Sequence, residues 1–369
     1  MDGDSRRAQR KREHIHWALA LDEGPVAVGF QDVVLLHNCL PELALREVSL
    51  QTALAGRSLE APIIINAMTG GAPEARPINA ALARVAREKG LAMAVGSQTA
   101  GLLDEGLADT YRVVRDENPQ GLVIANVGAL TPPEAAARAV AMVEADMLQV
   151  HLNAPQELVM AEGDKDFRGW LAGIAAIAAH VSVPVIAKEV GFGMAWEEAV
   201  KLAEAGAAAV DVGGQGGTNF IDIEARRQGE EAPDDLRHWG IPTACSLAEV
   251  VFFLNDRLEV VASGGIRSGF DTAKALALGA VAVGIARPFL KALAQEGEEG
   301  LRRRIDQLLS ELRLALALTG SRDLAQLRQR PVVVLGLTAR WLERRGVDLE
   351  ALARGGVAAW RGPHERAAT

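Results

Sequence analysis

The chain has 369 residues, 49% of them hydrophobic and only 4% aromatic, with 37 glycines and a formal net charge of −9. The acidic balance argues against nucleic acid as a general partner, since phosphate backbones demand a basic surface, but it leaves room for a small anion in a local basic pocket. No stretch approaches the ~18 apolar residues of a membrane span, and the basic N-terminus lacks the apolar run of a signal peptide. Cys39 and Cys245 stand apart without metal or redox spacing. A soluble protein of a reducing cytoplasm is the expectation.

Residues 5–16, Ser-Arg-Arg-Ala-Gln-Arg-Lys-Arg-Glu-His-Ile-His, read as a basic helical arm that ends before a Gly24-Pro25 turn. Short outlying strands are expected at 33–36 and 59–61. From Pro62 a unit recurs: a short apolar strand, a polar or glycine-rich loop, then an amphipathic Ala/Leu helix. Strands are predicted at 62–67, 92–96, 122–127, 147–152, 184–189, 208–212, 258–263 and 281–286. Helices are predicted near 78–88, 107–117, 133–144, 170–180, 196–205, 243–255 and 270–278. Eight strands alternating with helices at this spacing specify an α/β fold, a (β/α)8 TIM barrel. A doubly wound sheet would carry a glycine fingerprint after its first strand, and Met68-Thr69-Gly70-Gly71 is not one. The chain thus divides into an N-terminal arm with outlying strands (1–61), a barrel (62–294) and a C-terminal helical extension and tail (295–369). A long helix is expected over 295–318, frayed residues over 361–369, and a charged mobile loop over the barrel mouth at 224–237.

The fourth strand runs into Gln149-Val150-His151-Leu152-Asn153-Ala154-Pro155-Gln156-Glu157, where His151, Asn153, Gln156 and Glu157 arrive within seven positions. Fold stability does not require such density, because each buried polar group costs free energy unless partnered. The stretch reads as the floor of an active site; the plainer alternative is an amide-rich strand exit. The other strand ends are polar too, and in this fold the loops after the strands build the catalytic face. After strands seven and eight, Gly264-Gly265 with Arg267 and Arg287 suggest a phosphate site, where glycine backbone N–H groups and helix starts meet an anion; two tight turns are the plainer alternative.

Lys188, at the end of a buried strand, needs an anionic partner or a shifted pKa. It could serve as a Schiff-base amine, as a cation beside an electron-rich ring, or in a salt bridge to Glu189 or Asp211. Glu157 is a hard oxygen ligand suited to Mg2+ when substrate phosphates complete the shell; a surface glutamate is the alternative. Gln156 cannot titrate, so its role would be to orient or polarise. His151 is either a general acid or base or a hydrogen-bonded structural residue. Arg10, Lys11 and His14 share a helix face through i, i+3 and i+4 spacing, as a solvated arm or as a phosphate clamp.

Taken together, Arg10-Lys11-Arg12-Glu13-His14, Asn66-Ala67-Met68-Thr69-Gly70-Gly71, Gly96-Ser97-Gln98, His151-Leu152-Asn153 with Gln156-Glu157, Lys188-Glu189-Val190-Gly191 and the segments 213–219 and 262–267 resemble the FMN-dependent type 2 isopentenyl diphosphate isomerases. The resemblance runs from Arg10 to about residue 325. It implies that Ala67, Met68, Thr69, Ser97 and Asn126 contact the flavin ring system, with Lys188 near its pyrimidine edge. Thr218, Gly265, Ile266, Arg267, Ala286 and Arg287 would hold the ribityl chain and phosphate. Arg10, Lys11 and His14 would grip the substrate diphosphate, His151, Asn153 and Gln156 would line the alkene pocket, and Glu157 would hold Mg2+. The implied reaction interconverts isopentenyl and dimethylallyl diphosphate without net redox change, with FMN reduced by NADPH or NADH, in a homotetramer or homo-octamer. Some members of that family carry Arg at the position of Thr99 and Gly at that of Arg287.

Two other readings compete. A different FMN barrel oxidoreductase acting on a small anionic substrate would show a His-Gly-Gly-Arg site or a nucleophilic cysteine after strand six, and 213–219 has neither. A flavin-binding barrel without catalysis would have no use for Arg10, Lys11, His14 and Glu157 together.

Overall fold

A computed structural model of the chain describes residues 3–254 and 257–360. Its centre is a closed barrel of eight parallel strands: β1 (Ile63–Ile65), β2 (Ala92–Ala94), β3 (Val123–Gly128), β4 (Met147–Leu152), β5 (Val185–Glu189), β6 (Ala209–Asp211), β7 (Glu259–Ser263) and β8 (Ala282–Ile285), with β8 returning to pair with β1. Each strand overlaps its predicted range. The intervening helices, among them Ala75–Lys89, Pro133–Met142, Trp170–His180, Trp196–Glu204, Thr243–Leu254 and Gly269–Ala277, fall at the predicted positions.

Side chains alternate across a strand, so residues two apart share a face. Here that periodicity separates two inner layers. Ile64, Ala92, Ile124, Met147, Ile186, Ala209, Val261 and Ala282 form an apolar layer inside the barrel. Two residues further on, the same strands bring Asn66, Asn126, Gln149, Lys188, Asp211 and Ser263 to a buried polar layer. The neighbours on the opposite face, such as Ile63, Ile65, Ala125, Leu148 and Val150, pack in the larger cluster with the outer helices.

A hairpin of Thr52–Leu54 and Arg57–Leu59 contributes Leu54 and Leu59 to the inner apolar layer. The sequence placed this strand at 59–61. Ala55 (φ 48°) and Gly56 (φ 76°) make a tight turn with two left-handed residues, so pairing begins at once and ends at Leu59. Val33–Leu35 pairs antiparallel with Val332–Val334, which knits the N-terminal segment to the C-terminal one. The predicted helix at 295–318 belongs to a longer one, Arg287–Leu318, broken at Gly297 (φ 67°, ψ −165°), so the expected start marks the break. The expected fraying at 361–369 lies outside the described residues. No helix among the described residues is long and apolar enough to cross a membrane.

The segment 224–237 departs most from expectation. Glu224 lies within an ordered helix, Phe220–Arg227, started by the Asn219 side chain accepting from the Ile221 N–H, and a short helix follows at Asp234–Arg237. Ile221, Ile223 and Ala225 are buried on that helix, so a charged composition conceals an anchored face.

Candidate active site

The loops after the strands and the helical arm Gly3–Ala20 enclose a cavity of about 950 Å3. The loop after β7 holds Gly264 (φ 101°) and Gly265 (φ 75°) against the loop after β6: a Cβ on Gly264 would meet the Gly214 carbonyl at 2.0 Å, and one on Gly265 the Gly216 carbonyl at 2.3 Å. Glycine is thus required at both positions for the packing of the two loops. After β8, Ala286 precedes the helix that starts at Arg287, and both residues line the cavity. The Arg287 Nε and the Thr69 Oγ1 are buried without a hydrogen-bond partner. The orphaned Arg287 Nε at this helix start fits a bound phosphorylated cofactor that would supply the missing partner.

A hydrogen-bonded chain crosses the polar layer of the barrel. The Asp211 carboxylate sits 3.0 Å from Lys188 Nζ and accepts from Asn66 Nδ2 (2.8 Å) and Ser263 Oγ (2.5 Å). Gln149 donates to Asn66 Oδ1 (3.1 Å), Asn126 donates to Gln149 Oε1 (3.2 Å), and His151 Nδ1 lies 2.9 Å from Asn126 Oδ1. Burial, with Lys11 and Lys188 nearby, pushes His151 down to about 4, so the ring is neutral near neutral pH.

On the arm side a second buried carboxylate, Glu224, gathers three segments. It accepts from Gln156 Nε2 (2.7 Å), pairs with His14 Nε2 (2.8 Å) and meets the Arg227 guanidinium. Burial alone would raise the Glu224 carboxyl, but these hydrogen bonds outweigh it and bring it down to about 2. Arg227 also reaches Glu13 of the arm (2.9 Å) and Glu162 after β4 (2.8 Å). Arg10 and Lys11, by contrast, line the cavity with no acidic partner within salt-bridge distance among the described residues. Burial and the neighbouring Arg10 lower Lys11 to about 8. Two cations on a cavity wall, without a salt-bridge partner among the described residues, suit an anionic ligand.

The chain matches the family model for FMN-dependent dehydrogenases over residues 117–334. Isopentenyl-diphosphate delta-isomerases from Symbiobacterium thermophilum, Moorella thermoacetica and Bacillus pumilus are 54%, 50% and 47% identical to it, over 94%, 92% and 93% of this chain and 98%, 97% and 96% of their own lengths. The chain belongs to the isopentenyl-diphosphate delta-isomerase family. A mandelate oxidase solved with a monooxide FMN adduct superposes with a TM-score of 0.64 at 22% identity, covering 90% of this chain and 100% of that one. At that identity the likeness speaks for the barrel fold alone.

Against the site expected of an isopentenyl-diphosphate delta-isomerase, the cavity gathers most of the anticipated residues. Arg10, Lys11, His14, Ala67, Met68, Ser97, Asn126, His151, Asn153, Gln156, Glu157, Lys188, Thr218, Gly265, Ile266, Ala286 and Arg287 all line it. Thr69 sits just behind, its carbonyl taken by Gly96 N and Asn79 Nδ2. The Arg267 guanidinium is turned away, bonded to Glu23 and to the carbonyls of Gly216 and Gly265, so this side chain ties loops together. Lys188 forms the Asp211 salt bridge and also donates to the Glu189 carbonyl (2.9 Å) and Ser263 Oγ (3.2 Å), which commits all three ammonium hydrogens. That leaves a fixed positive charge at the cavity and no free amine for a Schiff base. Glu157 Oε1 accepts from Asn153 Nδ2 (2.8 Å) and Oε2 from the Asp164 N–H (3.0 Å), leaving each oxygen further lone pairs. Sequence reading missed Glu224, Arg227, Glu13 and Glu162 as one cluster. The Glu224/Arg227 i, i+3 pair was the available signal, and its charged surroundings disguised it.

Proposed function

We propose that the chain interconverts isopentenyl and dimethylallyl diphosphate, with FMN at the glycine-lined loops after β6, β7 and β8. The observation that carries this reading is the pair of cations, Arg10 and Lys11, without a salt-bridge partner among the described residues, on the wall of a cavity whose other end fits a phosphorylated cofactor. The diphosphate lies against Arg10, Lys11 and His14, and Glu157 would hold Mg2+, which would supply positive charge to the diphosphate, a single carboxylate with substrate oxygens being sufficient for that ion. NADPH serves as the flavin's reductant, and the assembly is a homotetramer or homo-octamer.

Moving the double bond by one position requires one proton in and one proton out, with no net redox change. Reduced FMN, when bound, supplies that acid–base chemistry. The chain's own groups orient and insulate. Gln156 gives its Nε2–H to Glu224, so its Oε1 turns toward Asn153 and polarises without titrating. His151, held neutral, adds no cation beside a developing carbocation. Lys188, fixed to Asp211, keeps a positive charge at the flavin end, where it favours an electron-rich ring.

The test is anaerobic: purified protein with FMN, Mg2+ and isopentenyl diphosphate, before and after dithionite, with dimethylallyl diphosphate as the product assayed. Product from the reduced enzyme only is the expected result. A flavin-loaded protein that makes none would shift the reading to an FMN oxidoreductase of a small anion, as the broader family match allows.

A further inference from the structure

The polar layer inside the barrel has a direction as well as a composition. A carboxylate offers only acceptors, so Asn66 must face Asp211 with its NH2 group (Nδ2 to Oδ2, 2.8 Å). The Asn66 carbonyl oxygen then faces the other way, where the Ala67 N–H donates to it at 2.9 Å as an independent anchor. Gln149 must therefore present Nε2 to Asn66 and Oε1 to Asn126. Asn126 in turn must donate through Nδ2, which leaves its Oδ1 against His151 Nδ1. An acceptor at that point requires a protonated Nδ1. Each link is 2.8–3.2 Å long, and Asn66, Asn126, Gln149 and Asp211 are all buried. Even the space is specified, since a Cβ on Gly284 would lie 2.2 Å from Asn66 Nδ2.

We propose that Asp211 is a positioning residue which, through the amide chain Asn66–Gln149–Asn126, fixes His151 as the Nδ1–H tautomer and turns the Nε2 lone pair toward the cavity. Flipping Asn66 or Gln149 would set two donors or two acceptors against each other at both ends, and flipping Asn126 would set two acceptors against each other at Gln149, a cost a buried site does not readily bear. The low proton affinity of His151 supports the assignment, because in a ring that stays neutral the tautomer decides what it offers a ligand. His151 is thus a hydrogen-bond acceptor, matched to an N–H or O–H donor on the bound ligand. For the identity of that donor, the reduced flavin, the inference rests on the function proposed above; the tautomer itself does not. The competing arrangement is a ring protonated at Nε2; the Val127 backbone also bonds the imidazole, and a bond from Nε2 to its carbonyl would favour that tautomer.

The test is nitrogen-15 magic-angle-spinning spectroscopy of the histidine-labelled, FMN-loaded protein, with a His151→Gln sample to assign the signal. Gln149, which does not line the cavity, provides the variants. Wild type should show a neutral ring protonated at Nδ1. Gln149→Met cuts the chain and should mix or invert the tautomers, with kcat falling ~10-fold or more at unchanged flavin content. Gln149→Glu, protonated in this buried site, can still give to Asn66 and accept from Asn126, so it should restore both the Nδ1–H signal and the rate. A wild-type ring protonated at Nε2, or a Gln149→Met ring unchanged from wild type, overturns the proposal. Should Gln149→Met fail to fold, the wild-type and Gln149→Glu spectra still decide. A protein that shows the Nδ1–H tautomer yet makes no dimethylallyl diphosphate would sink the functional reading and leave this one standing.

Discussion

Two buried carboxylates organise the cavity, and they are built in opposite ways. Asp211 lies on β6, and its partners Asn66, Lys188 and Ser263 sit at the ends of other barrel strands, so the barrel's own ladders hold the group. Glu224 lies on a helix outside the barrel, and its bonds reach the arm through His14 and the segment after β4 through Gln156. The first network is a consequence of closing the barrel. The second exists only when three excursions of the chain meet. Around Asp211 the donors and acceptors satisfy one another, whereas on the arm side Arg10 and Lys11 have no salt-bridge partner among the described residues. The physical lesson is a division of labour: a satisfied framework suits a resident cofactor, and uncompensated charge suits a ligand that comes and goes.

Substitutions on the two sides should therefore separate flavin binding from substrate handling. The largest effect is expected for Gln156→Ala, which removes a side chain poised by Glu224 over the cavity: kcat should fall ~100-fold or more while the flavin spectrum is retained, and loss of FMN would refute the placement. Next is Glu224→Gln, which removes the buried charge joining His14, Gln156 and Arg227 while Arg227 keeps Glu13 and Glu162. It should cost about 2 kcal/mol of stability in denaturant unfolding and raise KM, and an unchanged unfolding midpoint would remove Glu224 as the arm's anchor. Lys11→Ala should raise KM roughly tenfold with kcat little altered. The pH dependence has a definite sign. Lys11 is protonated below about 8, so kcat/KM should hold at lower pH and fall as pH rises through that value. Lys11→Arg should move this alkaline limb upward, because guanidinium stays charged. The smallest effect is that of Glu157→Gln, which should raise the Mg2+ concentration needed for half-maximal rate several-fold; an unchanged metal titration would exclude Glu157 as a ligand.

Much of the barrel was legible because short apolar runs and amphipathic helices are local signals. Its strands emerged from runs such as Ile63–Ile65 and Val185–Glu189, and the polar residues at the strand ends pointed to the catalytic face. Pairings between distant segments were not legible. Nothing local in Val332–Val334 announces a partner at Val33–Leu35, and nothing near Arg267 announces Glu23. The Asp211 chain lies between these cases. Its aspartate and three amides each sit two residues after an apolar one, which the sequence displays. Its hydrogen bonds join residues as far apart as Asn66 and Asp211, and only barrel closure brings those together. Glu224 was hidden differently, since a run of charges reads as a solvated loop unless the buried Ile221, Ile223 and Ala225 are weighed with it.

The most direct test of the division of labour is one pair of titrations on the Arg10→Ala/Lys11→Ala protein: FMN binding by flavin fluorescence, and inorganic diphosphate binding to the FMN-loaded form with Mg2+. Unchanged FMN affinity with diphosphate binding weakened ~100-fold is the predicted result. Weakened FMN binding, or diphosphate binding equal to wild type, would contradict the account, because the arm would then serve the cofactor or nothing at all.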